Sequence, residues 1–368
     1  MASLARVALL ASLVAAALAC AAPSVPTNVD AGASEAVGEG EGALGEGEGA
    51  IGEGEGEGEG EGEGEGEGEG EGEGEGEGEG EGASGDYGIY DSDGDDLVTT
   101  LDLAVTTDAG HQFTEHIFLP SSPGPHPVVL LASGLEQPAV AYTTHGTRLA
   151  SHGIVVLTRD DSGLTVDTPI IIGDLTYTLS VWLPQQNADP TSPIYDVADL
   201  SRVALAGHSR GGKATLLAAE HELHGQVLGW FGLDCVDNIA LSGNEFAITD
   251  VATVGVPVVF LGASVASTCT PANTTATTLY PAAASPAVII MGIGAGHTEL
   301  EDQAGCTICS FCSPSGTADP DVVLRYTVRY LASCLGRVLL DDPSVGTAFE
   351  GAGMAQDVAA GLVTMDSK

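Results

Sequence analysis

A serine between glycines, a carboxylate at the end of an apolar run and a histidine in a glycine-rich loop are the residues of this 368-residue chain whose types and spacing could do covalent chemistry. Gly207-His208-Ser209-Arg210-Gly211 fits G-x-S-x-G. It follows the apolar run Val203-Ala204-Leu205-Ala206 and leads into Ala214-Thr215-Leu216-Leu217-Ala218-Ala219, an order that reads as strand, sharp turn, helix. A serine on such an elbow has strained backbone angles, and glycines beside it remove side chains that would clash. The turn pushes the Ser209 hydroxyl over the sheet edge, and it aims the Arg210 amide, at the helix start, where an oxyanion would form. Ser209 is the candidate nucleophile.

A serine nucleophile needs a base, and the base needs an acid to orient it. On an elbow of this kind the chain order is Ser, then Asp or Glu, then His. His221 and His224 lie along the helix leaving the elbow and read as surface residues. His297 ends Met291-Gly292-Ile293-Gly294-Ala295-Gly296-His297, where glycines let a loop swing back over the sheet edge, so it is the expected base. No Asp or Glu occurs between Asp250 and Glu299, so the loop after residues 257–262, a common place for the acid, cannot supply one. That leaves Glu220, Glu222, Asp234, Asp237, Glu245 and Asp250. Asp234 stands at the end of the run 227–233, on the edge where parallel strands all finish, and there it could fix the tautomer of His297. Asp237 is the runner-up. The second oxyanion donor is expected from Ser133-Gly134-Leu135, with the Leu135 amide as the donor and Gly134 allowing close approach.

These residues need a scaffold, and the hydrophobic pattern supplies one. Residues 97–106 and 114–119 alternate like antiparallel strands. Residues 127–132, 153–158, 202–206, 227–233, 257–262 and 287–291 are short continuous apolar runs, as strands buried on both faces are. Helix-like stretches at 142–151, 212–224 and 322–340 separate several of them. The expected fold class is α/β, with a mostly parallel central sheet and helices on both faces. Residues 86–368 are long enough for one large core and read as a single catalytic domain.

Ahead of that domain the composition changes twice. Residues 1–20 have one positive charge at Arg6 and an apolar stretch too short to span a membrane, the pattern of a secretory signal. Cys20 after Ala17-Leu18-Ala19 resembles a bacterial lipobox, although Ala17 stands where leucine is usual. A membrane tether through lipidated Cys20, and export to the cell envelope, are the expectations. Residues 21–85 are dominated by Gly-Glu alternation, almost pure from Gly52 to Gly82, and read as a disordered linker kept extended by self-repulsion. The formal net charge is −43, and residues 86–368 alone hold 32 acidic against 9 basic residues. Such a surface repels phosphate backbones and anionic headgroups, which argues against a nucleic-acid partner and against polybasic membrane binding.

Six cysteines follow Cys20, an even number that favours disulfides in an exported chain, with fifteen pairings open. The run Cys306-x-x-Cys309-x-x-Cys312 lacks a nearby fourth ligand of zinc spacing, so no metal is expected there. The acidic stretch from Asp91 to Asp96 lacks the spacing of a calcium loop and reads as a solvated turn.

Taken together, Gly207-His208-Ser209-Arg210-Gly211-Gly212-Lys213, Gly232-Leu233-Asp234-Cys235-Val236-Asp237, and Gly296-His297 followed by Glu299, Glu301 and Asp302 resemble the chlorophyllase-like branch of the α/β-hydrolases, beside the bacterial cutinase-like polyester hydrolases. The resemblance covers residues 118–340. In chlorophyllases the acid lies in a G-[IL]-D segment, which falls on Asp234. Ser151-His152-Gly153-Ile154-Val155-Val156 is similar to the S-H-G-[FI]-V-V segment of polyester hydrolases. The chain departs from those hydrolases at Ser133-Gly134, where His-Gly or Pro-Gly is usual, at Leu135, where an aromatic is frequent, and in the acid-free loop that carries their acid. The resemblance implies an α/β-hydrolase fold and a serine hydrolase that cleaves carboxylic esters through Ser209, Asp234 and His297, with no cofactor or metal. Its substrate would be a small-molecule or lipid-like ester. It also implies a Cys235–Cys269 bridge bracing the acid loop, with the other four cysteines tying the last helix to the loop after His297. A non-catalytic surface lipoprotein on the same scaffold and an acyltransferase are the alternatives.

Overall fold

Continuous runs of Val, Leu and Ile form strands where neither face meets water. Val128, Leu130 and Ala132 of one such run belong to one buried cluster, and Val129 and Leu131 to another on the opposite face. This is the period-two consequence of a pleated strand sandwiched between two layers. The computed structural model describes residues 87–160, 167–237, 247–302, 315–342 and 351–368. All of these belong to one compact unit. The signal, lipobox and linker expectations for residues 1–20 and 21–85 lie outside the described residues, as do Glu245, Cys306, Cys309 and Cys312.

The strands are β1 (Val98–Thr106), β2 (Gln112–Pro120), β3 (His126–Ala132), β4 (Val155–Arg159), β5 (Ala198–His208), β6 (Trp230–Leu233), β7 (Val258–Ala263), β8 (Ala287–Gly292) and β9 (Val363–Ser367). They pair in one sheet in the order β1-β2-β4-β3-β5-β6-β7-β8-β9. From β4 to β8 every pairing is parallel. β1 and β2 enter antiparallel, and β9 closes the other edge antiparallel to β8. One face is covered by α1 (Thr143–Ser151) and α7 (Pro320–Leu340), which contribute Leu149, Tyr330, Leu331 and Leu335 to its core. The other is covered by α2 (Thr168–Tyr177), α4 (Ser209–Glu220) and α6 (Ala276–Ala282), through Ile171, Leu217 and Leu279. The expected mostly parallel sheet with helices on both faces is the observed one.

Several elements differ from the sequence expectation. β6 is shorter than the apolar run 227–233, because Leu228 and Gly229 bond to β5 through Val203 and Leu205 as single links ahead of the ladder. An unexpected helical block follows β4: α2 passes through a π-helical turn, Thr178–Trp182, into α3 (Leu183–Ala188). Pro184 sits at the start of α3, and a proline there removes a donor and crowds the preceding turn, which the wider π turn accommodates. α8 (Ala352–Ala359) and β9 were also not expected. β9 alternates buried and exposed residues over only five positions, too few to stand out as a pattern.

Cys235 is a free, buried thiol, and Cys334 is buried and outside any disulfide. This overturns the Cys235–Cys269 bridge and removes Cys334 from the set expected to tie the last helix. Cys269 is disulfide-bonded. The acidic turn is more engaged than a solvated one: Asp93 pairs with Arg148 at 2.7 Å, Asp91 with Arg329 at 2.9 Å, and Asp96 accepts from Ser121 and Ser122.

Arg329 on α7 is the hub of a buried cluster. Its guanidinium bonds Asp91 and Asp357, the latter from α8, and lies 3.7 Å from the centre of the Tyr87 ring. The hydroxyls of Tyr87 and Tyr330 also donate to Asp357. The N-terminal segment, the last long helix and α8 thus share one charge cluster. Removing one partner of a buried pair leaves the other charge uncompensated. Asp357→Ala is therefore expected to destabilise the fold by about 3 kcal/mol, measured as a shift in the urea unfolding midpoint; an unchanged midpoint would show that Asp91 alone satisfies Arg329.

Candidate active site

The elbow is where sequence and backbone strain meet. Ser209, the first residue of α4, has φ 55° while His208 before it is extended at φ −103°. A left-handed backbone at a non-glycine residue costs about 1 to 2 kcal/mol and persists only where the surroundings over-determine it. Here the determinants are close approaches. A Cβ on Gly207 would lie 2.5 Å from the Gly211 carbonyl oxygen, and one on Gly211 would lie 2.3 Å from that of Ser133. A Cβ on Gly212 would meet the Gly207 carbonyl oxygen at 2.8 Å. These glycines are required for space, and the strained φ belongs to the serine itself.

The expected acid and base are in contact. Nδ1 of His297 lies 2.7 Å from Oδ2 of Asp234, with the two residues 7 % and 1 % exposed. A buried carboxylate accepts, so Nδ1 carries the proton and Nε2 is left as the basic nitrogen. The other oxygen of Asp234 accepts from the Ala263 amide at the end of β7 at 3.1 Å. Like Ser209, Asp234 has a positive φ, 37°, and its own amide donates to Leu261 at 2.6 Å. The Val236 amide donates to the Ser209 carbonyl at 3.1 Å, so the acid loop and the elbow are joined through backbone.

Three of the other acid candidates have partners elsewhere. Asp237 accepts from the amides of Ala247 and Ile248 and lies 3.7 Å from the fully buried ammonium of Lys213. It ties the loop after β6 to the segment at Ala247 and Ile248. Asp250 pairs with His221 at 3.2 Å, and Glu220 accepts from Thr253 and lies 4.0 Å from His224. Both histidines are exposed on the surface, as expected.

The loop after β3 lies against the elbow. A Cβ on Gly134 would stand 2.8 Å from Nδ1 of His208 and 3.4 Å from Cβ of Ser209. The loop is a turn closed by the Gln137 amide on the Gly134 carbonyl, with Glu136 at φ 60°. Leu135 occupies its half-buried corner. The Gly134 amide itself donates to the Tyr142 hydroxyl at 3.0 Å. Arg210, in the first turn of α4, has an amide with no intrahelical acceptor, as every helix start does.

Several residues around the site were given no role by the sequence. The His208 ring stacks on His297, with centroids 4.4 Å apart, and its Nε2 lies 3.1 Å from the His297 carbonyl. Glu299 accepts from the Gly296 and Gly316 amides, and Asp302 accepts from the Thr144 amide. Glu301 is enclosed beside Tyr142 and His208. The available signal was three carboxylates within five residues of His297, directly after a stretch without acids. Burial, with Asp237 nearby, pushes the Cys235 thiol well up, so it stays protonated beside the acid loop.

A family model described as PETase, PET hydrolase-like, matches residues 104–309, a span that includes the elbow, Asp234 and His297. The chain belongs to the PET hydrolase-like family. This family has the α/β-hydrolase fold, and its match falls on the polyester-hydrolase side of the resemblance read from the sequence. The PET hydrolase-like chain is thus an ester hydrolase of the α/β-hydrolase type. No curated protein matches it. Within this family member the glycine at 211 is a sharp structural test. Gly211→Ala must displace either α4 or the end of β3, at a cost of about 1 to 3 kcal/mol, and is expected to lower both the melting temperature and kcat/KM for any ester; a variant with wild-type values of both would show that the elbow tolerates the methyl group.

Proposed function

We propose that this protein hydrolyses carboxylic esters through an acyl-enzyme, with Ser209 as nucleophile, His297 as general base and acid, and Asp234 as the residue that orients it. The observation that carries this reading is the 2.7 Å bond between His297 and Asp234, buried at the sheet edge where the strained Ser209 leaves β5. Oγ of Ser209 attacks the ester carbonyl carbon as Nε2 of His297 takes its proton. The oxyanion is held by the amides of Leu135 and Arg210, each worth on the order of 3 kcal/mol in the transition state. Collapse of the tetrahedral adduct breaks the bond to the alcohol oxygen, which receives the proton from His297. Water then attacks the acyl-Ser209 ester by the same steps and releases the acid. No bound cofactor is required for this sequence.

A small-molecule or lipid-like ester suits the neighbourhood of the oxyanion loop, where Leu135 is half-buried and Val140 is 56 % exposed. The acyl part would lie against such apolar groups. Export and a lipid tether on Cys20 are part of the same proposal, on the strength of residues 1–20. Palmitate labelling of the full chain in a bacterial host is expected, and its persistence in Cys20→Ser would remove the tether.

Hydrolysis of p-nitrophenyl esters of increasing acyl length tests the chemistry. Wild type is expected to turn them over and Ser209→Ala to be inactive. Asp234→Asn should lower kcat by about 10⁴-fold through the wrong tautomer of His297, while Asp237→Asn should keep the same mechanism. Full activity in Asp234→Asn would overturn the assignment of the acid, and an inactive wild type would overturn the esterase itself.

A further inference from the structure

Glu301 is a carboxyl group that the proposed triad does not use, and it is only 3 % exposed. Its Oε2 lies 3.4 Å from Nδ1 of His208 and has no hydrogen-bond partner, while the carboxyl also hydrogen-bonds the Tyr142 hydroxyl. Tyr142 in turn bonds two parts of the site: it accepts from the Gly134 amide at 3.0 Å and lies 2.9 Å from His208 Nδ1.

Counting protons gives the chain a direction. His208 Nε2 faces the His297 carbonyl at 3.1 Å, and a carbonyl only accepts, so Nε2 carries a proton. In a neutral ring Nδ1 is then an acceptor, and the single hydroxyl proton of Tyr142 goes to it. The tyrosine oxygen has no proton left for Glu301, so Glu301 must donate. The same number of protons could be arranged as a His208 imidazolium and a Glu301 carboxylate. That arrangement would put a buried cation 4.4 Å from the ring of His297, which must itself become positive during attack.

We propose that Glu301 is a positioning residue held as a neutral carboxylic acid, donating through Tyr142 so that His208 stays neutral and braces the backbone of His297 while Gly134 is fixed by the same hydroxyl. The inference rests on the esterase reading above. The surroundings agree with it. Burial, helped by Asp302 and opposed by the Tyr142 hydrogen bond, pushes Glu301 up to about 8. Burial holds His208 well below its ordinary value, and the neighbouring His297 and His145 lower it further. From α1, His145 is also buried and held down to about 4. The carboxyls of Glu299 and Asp302 share the turn with Glu301, and on α7 Tyr326 faces Glu299, whose charge helps to raise it.

Above about pH 8 Glu301 loses its proton, the Tyr142 hydroxyl turns to the carboxylate, and His208 Nδ1 loses its donor. Stability follows the same proton: between the ordinary carboxylate range and about 8 the unfolded chain has released it and the folded chain holds it, so this contribution falls as pH rises through that window.

The test uses the full chain with p-nitrophenyl ester kinetics across pH and infrared spectroscopy at pH 7. Wild type is expected to show an alkaline limb in kcat near the Glu301 transition and a protonated-carboxyl C=O band that E301Q lacks. E301A should lower kcat about tenfold, the worth of one or two hydrogen bonds, at unchanged KM. E301Q, which can still donate to Tyr142, should recover most of that loss and abolish the alkaline limb. Y142F should lose kcat as E301A does. If wild type is active but E301Q keeps the alkaline limb, or if wild type and E301Q share the same carboxyl band, the neutral-acid role is wrong. If wild type hydrolyses no ester, the esterase reading fails instead, and the infrared band still reports on Glu301.

Discussion

The start of α4 lies directly on the end of β3, with Gly211 packed against the carbonyls of Ala132 and Ser133 so tightly that no side chain fits between them. This steric contact sets the geometry of the rest of the site. It sets how closely the helix approaches the sheet at the turn where Ser209 has a positive φ. It also brings the loop after β3 to the serine, because Gly134 emerges from the same strand end and lies against His208 and Ser209. The loop after β3 and Ser209, from separate parts of the sequence, therefore share one small region. Protein interiors transmit such constraints because they are close-packed and cannot deform by a methyl group without cost.

The neighbouring strands divide a task. β7 ends without a carboxylate, since its loop contains none, yet the Ala263 amide at that end satisfies one oxygen of Asp234. Asp234 stands one strand closer to the elbow, directly after β6, and its loop returns a hydrogen bond from Val236 to the serine carbonyl. Asp234 and Ser209 are thereby linked through a few backbone bonds. The buried Lys213 of the elbow helix, near Asp237, reinforces the same connection with charge. A pair this deep has a desolvation cost that offsets much of its attraction, so its contribution is to the position of the loop more than to stability.

The sheet was legible because its strands are buried on both faces, and runs such as Val128 to Leu131 have few other uses. The elbow was legible because space restricts Gly207, Gly211 and Gly212 to glycine, and the contact of Asp234 with His297 because the stretch before Glu299 left few carboxylates to meet that histidine. What stayed hidden depends on distances that no local pattern encodes. Tyr142, His208 and Glu301 are far apart in sequence, and each alone resembles an ordinary core or surface residue. The π turn before Pro184 is a compromise between a helix and a residue that cannot continue it, visible only once both neighbours are packed. The cysteines misled because an even count says nothing of proximity: Cys235 lies beneath the elbow helix, against Gly212, as a free thiol.

The charge cluster around Arg329 has a mechanical meaning. Tyr87 and Asp91 are the first points at which the described chain is held, and both are fastened to Arg329 and Asp357 at the far end of the sequence. Tension applied through the chain ahead of Tyr87 would be carried by these ionic and aromatic contacts to α7, whose apolar face is embedded in the sheet. The edge strand β1 follows only after the turn that Arg148 holds through Asp93. Drag on the preceding segment would thus load two guanidinium anchors before it could peel a strand from the sheet.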